Sequence, residues 1–213
     1  MQPIRTEQEA AAFMKSVKLA LRYGAGPLHS FYAAVVDQRR AIELTNALLA
    51  RGVVIETNLI GDRLVLAHRD LVPALWKLRT RFRSELSPDA ARALELIAAE
   101  NGVNAGAVRR LLGVRSAKRP DRADVALAEL MRELRVDRGP SSVPERGIAY
   151  LSKEGFPYRV FEKAHPELVA KAERLSIAQA VETLVKPLRV FPPGKIASLL
   201  KLCVTKDELT LAR

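Results

Sequence analysis

Arg39, Glu43 and Asn46 recur at helical spacing, with Arg40 beside them, in the stretch DQRRAIELTNALLARG at 37–52. Arg and Asn suit hydrogen bonds to base edges and phosphate oxygens. The basic end falls at a predicted helix N-terminus, where unpaired backbone N–H groups also favour phosphate. Contact with a nucleic acid is the chemistry expected of this stripe, with Arg39, Arg40 and Asn46 its best candidates. A second group, Lys77, Arg79, Arg81 and Arg83, puts four cations in seven residues. On a helix they spread over more than one face, which suits backbone phosphates better than base readout. Its plain alternative is a solvated connector. Arg115, Lys118, Arg119 and Arg122 make a similar case further on, with Arg109 and Arg110 as additions. Arg63, after Asp62, and Lys153 mark two candidate hairpin tips.

Catalytic constellations are thin. His29, His68 and His165 lie far apart and lack helical His or Cys partners, so no metal site is expected. No Gly-rich phosphate loop and no Gly-x-Ser-x-Gly occurs. The single cysteine, Cys203, sits between Leu202 and Val204 and reads as a small core residue. No cofactor is implied. Trp76, four residues after Val72, reads as a packing residue between modules. Glu56 and Asn58 are the residues an unrecognised enzyme would draw on.

The elements that must position these residues repeat. Asp37 is an N-cap, Ile42, Thr45 and Leu49 mark the inner face, and Gly52 supplies the C-cap. Two β-branched runs follow, 53–57 and 63–66, around a turn-like 58–62, and read as a hairpin. Before them, 7–23 reads as a helix capped by Thr6 and 28–36 as a short one. Helix, helix, helix and hairpin make the layout of a winged helix. Residues 69–83 continue as a connecting helix with Pro73 in its first turn.

The order then restarts. Ser87 caps a helix over 88–102, 105–114 forms a short one, and Asp121 caps a third through Leu134. Residues 147–151 and 157–163 are the expected second hairpin. A third start at 176–213 repeats the pattern, since Ala93-Leu94-x-x-Ile97 with Val108-x-x-Leu111-Leu112 parallels Ala180-Val181-x-x-Leu184 with Ile196-x-x-Leu199-Leu200. Pro187 should kink or shorten that helix. The expected fold is mostly α, of the α+β class, in three consecutive units: 1–86, 87–174 and a partial 175–213.

Composition bounds the partner. The chain of 213 residues carries a net charge of +11 and a pI near 10.1, spread along its length. That fits attraction to a polyanion. Aromatic residues make up 5%, which argues against stacking platforms for single strands. One cysteine, no signal layout and no long apolar run point to a cytoplasmic protein with no membrane partner.

The runs LVPALWKLRTRFR, ALELIAAENGVNAGAVRRLLGV and PYRVFEKAHPELVAKAERLSIAQAVETL resemble tandem winged-helix proteins related to the AlkZ-type crosslink-repair DNA glycosylases. The likeness spreads over most of 10–205 and implies duplex DNA as the ligand. Those glycosylases carry a catalytic Gln-x-Gln or Gln-x-Asp motif. Here Gln2, Gln8, Gln38 and Gln179 are followed two residues on by Ile4, Ala10, Arg40 and Val181. The activity does not carry over. The reading is a duplex-DNA-binding protein, a transcription regulator or repair accessory factor, with a protein partner or homodimer as further association. The alternatives are a glycosylase-like enzyme with unrecognised residues and a winged-helix interaction scaffold.

Overall fold

The Thr6 hydroxyl accepts from Glu9 N while the Glu9 carboxylate accepts from Thr6 N. This reciprocal cap starts helix α1 (Glu7–Val17), which buries Ala10, Phe13 and Met14. The computed structural model describes residues 3–100, 102–115, 120–140 and 156–211. It is a mixed α+β structure with twelve α-helices and two small antiparallel sheets among the described residues.

Helix α1 ends earlier than expected. Lys18 takes a left-handed φ of 61°, and residues 19–21 become strand β1 (Leu19–Leu21) instead of a continued helix. The apolar run Leu-Ala-Leu suits either state, and pairing with a partner strand decides it. Helices α2 (Phe31–Ala34) and α3 (Gln38–Ala50) follow, then strands β2 (Val54–Thr57) and β3 (Val65–His68). Sheet order is β1-β3-β2, with Leu19 opposite Ala67 and Val54 opposite His68. Asp37 caps α3 by accepting from Arg40 N, and Ala41, Ile42, Leu44, Thr45, Leu48 and Leu49 face the core. Phe31, Leu44, Leu48 and Leu66 are all but fully enclosed, each contributing roughly 1.5–3 kcal/mol of apolar burial.

A 3-10 turn (Arg69–Leu71) leads into α4 (Val72–Thr80), where seven of nine residues are buried. What buries α4 comes from the far end of the sequence. Helices α9 (Pro166–Glu173) and α10 (Ile177–Val185) pack on it. After α10, Pro187 falls in a 3-10 turn (Lys186–Leu188), followed by α11 (Pro193–Leu200) and α12 (Lys206–Leu211). Residues 1–83 and 166–213 therefore form one unit, and 84–165 the other. This partition differs from three consecutive units, because α4 is a core helix with a face for α9 and α10 and not a solvated connector.

The second unit holds α5 (Pro88–Ala99), α6 (Ala105–Leu111), α7 (Arg122–Arg132), strands β4 (Val136–Arg138) and β5 (Tyr158–Val160), and the short α8 (Phe161–Ala164). Val103 bridges Tyr158, so a short extended stretch lies on β5 as β1 lies on β3. The ladder partner of β5 is 136–138; the expected strand at 147–151 and Lys153 lie outside the described residues.

The two units share detail as well as order. At the end of α3, Arg51, Gly52 and Val53 donate backbone bonds to Ala47, Leu49 and Leu48. At the end of α7, Glu133, Leu134 and Arg135 donate to Glu129, Met131 and Leu130. Gly52 and Leu134 both take a left-handed φ, 61° and 48°. The next residues pair alike, Val54 with His68 and Val136 with Val160.

Candidate nucleic-acid interface

With its apolar side turned inward, α3 presents Gln38 and Arg39 to solvent, and Asn46 is half-buried. The Arg39 side chain is 69% exposed, and its Nε donates to Glu43 Oε1 at 3.2 Å. Arg40 donates through Nη1 to Glu43 Oε2 at 2.9 Å and through Nε to the Arg5 carbonyl at 2.7 Å. One carboxylate thus serves two guanidiniums on the outer face. Of the stripe at 39, 43 and 46 only Arg39 is exposed, Glu43 and Asn46 being half-buried, and the role of Glu43 as a shared acceptor was not read from the sequence.

The hairpin tip is not a free wing. Arg63 Nη1 donates to the Ala25 carbonyl, and its guanidinium lies against Gly24 and Gly26, where a Cβ would sit within about 3 Å of it. Gly61 N donates to Leu199 O at 3.0 Å, and Asp62 pairs with Lys201. Arg63 is a tie between loops within the unit.

The cations of 77–83 also have partners within the chain. Arg79 is 5% exposed, and its Nη1 donates to Phe82 O at 2.8 Å and Leu202 O at 3.3 Å. Arg81 pairs with Glu208 and donates to Cys203 O at 3.2 Å. The Arg83 guanidinium lies 4.3 Å from the centre of the buried Trp76 ring, and Lys77 Nζ reaches Glu173 O at 3.4 Å. Lys77, Arg79 and Arg81 fasten this segment to the C-terminal part of the unit, while Arg83 covers Trp76 of α4 itself. Carbonyls at helix ends attract guanidiniums as phosphates do, and a spacing rule cannot tell the two apart.

In the second unit Arg109, 9% exposed, donates to Asp121 at 2.8 Å and Asp124 at 2.9 Å. Arg122 is held by both oxygens of Asp89 at 2.8 and 2.6 Å, and its hydrogen bonds draw the Asp89 carboxyl below its usual range. Arg110 and Arg115 are exposed, and Lys118 and Arg119 lie outside the described residues. Arg92, exposed on α5, donates to Leu111 O at 3.2 Å, which brings it to the end of α6. It is a cation that sequence reasoning missed.

No family profile, curated protein or solved structure matches this chain.

Of the two residues an enzyme would draw on, only Glu56 is enclosed. Glu56 is 1% exposed and accepts from Arg22 Nη1 at 2.6 Å, while Asn58 is half-buried. Burial pushes the Cys203 thiol up to about 12, so it stays protonated. Among the described residues no group of His, Cys, Asp and Glu could hold a metal ion, and no helix is long and apolar enough to cross a membrane. His29 meets Phe13 edge-on, His68 accepts from Asp70 N, and His165 pairs with Asp137 at 2.7 Å. Each histidine has its own local setting.

Proposed function

We propose that this chain is a non-enzymatic, cytoplasmic, duplex-DNA-binding protein of two winged-helix modules, a transcription regulator or repair accessory factor. The supporting observation is the repeated order helix, strand or bridge, helix, helix, hairpin, with the strand after the first helix lying on the second strand of the hairpin in both units. That is the arrangement in which the third helix enters a major groove. In the first unit this helix is α3, with Arg39 and Arg40 at its exposed N-terminal turn. Its wing is tied down by α11, so α3 carries the contact without it. Arg110 and Arg115, with Arg92 near them, are the second unit's phosphate contacts. The net charge of +11 supplies long-range attraction. The chain keeps the AlkZ-type resemblance as a binding relative without the glycosylase activity.

A different reading of the second unit rests on α7. Its outer face carries Val125, 57% exposed, and Arg122 already neutralised by Asp89, so it fits a protein partner better than phosphate. Fluorescence anisotropy with a mixed-sequence duplex at two salt concentrations tests the main reading. Steeply salt-dependent binding supports it. Absence of binding at low salt leaves the interaction scaffold.

A further inference from the structure

We propose that Glu43 is a specificity-determining residue of the α3 surface, accepting a hydrogen bond from a base amino group in the major groove. This rests on the duplex-DNA reading above. Glu43 lies one turn into α3, on the same stripe as Arg39, with its side chain 24% exposed. Each of its oxygens accepts from one guanidinium, Arg39 Nε on Oε1 and Arg40 Nη1 on Oε2. A carboxylate has about four acceptor positions in all, so acceptor capacity remains beyond these two bonds.

The charge count on this face makes the residue consequential. Two arginines without Glu43 would take any phosphate. With Glu43 between them the three side chains sum to one positive charge, and an approaching phosphate meets an anion within about 3 Å of each guanidinium. Bare backbone contact is penalised. A base edge that donates to the carboxylate removes the penalty. Cytosine N4 and adenine N6 are the amino donors the major groove presents, and cytosine N4 is the usual partner of a carboxylate. Arg40 is also anchored by its Nε on the Arg5 carbonyl, which fixes one of the carboxylate's two partners. A helix-stabilising pair alone would need only Arg39, at the i, i+4 position.

The test uses the full chain, Glu43→Gln, and Glu182→Gln as a control. Glu182 pairs with the exposed Arg189 on a different helix, so its loss changes net charge equally. Each protein is equilibrated with 20-base-pair duplexes carrying a randomised central block, and the bound fraction is sequenced. The wild type and Glu182→Gln should enrich the same motif containing a fixed cytosine. Glu43→Gln should lose the cytosine preference at that position, by about tenfold, and bind the unselected pool more tightly; a shift to adenine, which an amide reads, counts as that loss. Sequencing separates cytosine from adenine. An unchanged motif in Glu43→Gln, or no motif in the wild type despite firm binding, overturns the assignment while leaving DNA binding intact. No binding by any of the three proteins overturns the DNA reading and the role of Glu43 with it.

Discussion

Arg22 and Glu56 meet at 2.6 Å inside the first unit, with side chains 5% and 0% exposed. Burial disfavours the Arg22 charge, yet the neighbouring Glu56 carboxylate raises its pKa above the ordinary arginine value. Tyr32 adds its hydroxyl, which accepts from Arg22 Nε at 3.3 Å. Removing one member strands a charge in the core. Glu56→Ala should therefore cost about 3–5 kcal/mol, and the double replacement Arg22→Met with Glu56→Leu much less. Urea unfolding followed by fluorescence of Trp76, the only tryptophan and a member of the same unit, checks this. Equal costs for the single and double variants would contradict it.

The arginines should sort by what they touch. Arg79→Ala and Arg109→Ala each remove bonds from a buried guanidinium, so each should lose on the order of 2 kcal/mol of stability. The double variant Arg110→Ala with Arg115→Ala should leave the unfolding midpoint within about 0.5 kcal/mol. It should instead lower the slope of log affinity against log salt by roughly two. Thermal unfolding together with a salt titration of duplex binding separates the two classes.

Charge reversal locates the binding face. On the proposed reading, Arg39→Glu with Arg40→Glu should weaken duplex binding by about tenfold or more, since two cations of the helix that faces the polyanion become anions. The same change at Lys171 and Arg174, both exposed on the C-terminal part of the first unit, should cost less. Equal losses at the two sites would point to diffuse attraction.

Much of the fold was legible because its signals are local. The Asp37, Ser87 and Asp121 caps, the inner face of α3 and the first hairpin all follow from short-range chemistry. The residues 19–21 were not, since an apolar triplet becomes a strand only when β3 is there to pair with it. The fate of the basic residues was the least legible part. Arg81 and Arg79 find their partners some 120 positions away, at Glu208, Cys203 and Leu202. Window-based reading sees the cations and not the acceptors. Arg109 could have been found: Asp121 and Asp124 lie 12 and 15 residues on, and a carboxylate at a helix N-cap with another in its first turn are an anchor for it.

Acid should act on the second unit through Asp137. Burial opposes its ionisation, but hydrogen bonds from His165 and Arg159 outweigh that and hold its carboxyl below the usual range. The folded pKa thus lies below the roughly 3.9 of an unfolded aspartate. Its contribution to stability is fully present above that unfolded value and is lost as pH falls through the folded one. Asp137→Asn should lower the melting temperature at pH 7 and flatten its decline between about pH 4 and 2. Parallel acid limbs for both proteins would show that another group governs it.

Gly52 offers a cleaner conformational test. Its φ is 61°, and a Cβ placed there would meet nothing within 4 Å. Gly52→Ala should then cost about 1 kcal/mol from backbone strain alone, with no packing change. Chemical denaturation with an unchanged m-value would agree; a neutral effect would mean that the end of α3 can rearrange.

The burial of α4 has a consequence for biosynthesis. Helix α4, with Val72, Ala74, Leu75 and Leu78 buried, packs on helices that are translated only after residues 84–165 have been made. During elongation the second unit has all of its residues first and is free to fold as a self-contained insert. The apolar side of α4 meanwhile waits in a nascent chain whose own cover is still to be translated. At about 5–20 residues per second that interval lasts several seconds. For that time the half-made first unit presents a hydrophobic helix to any chaperone near the ribosome exit.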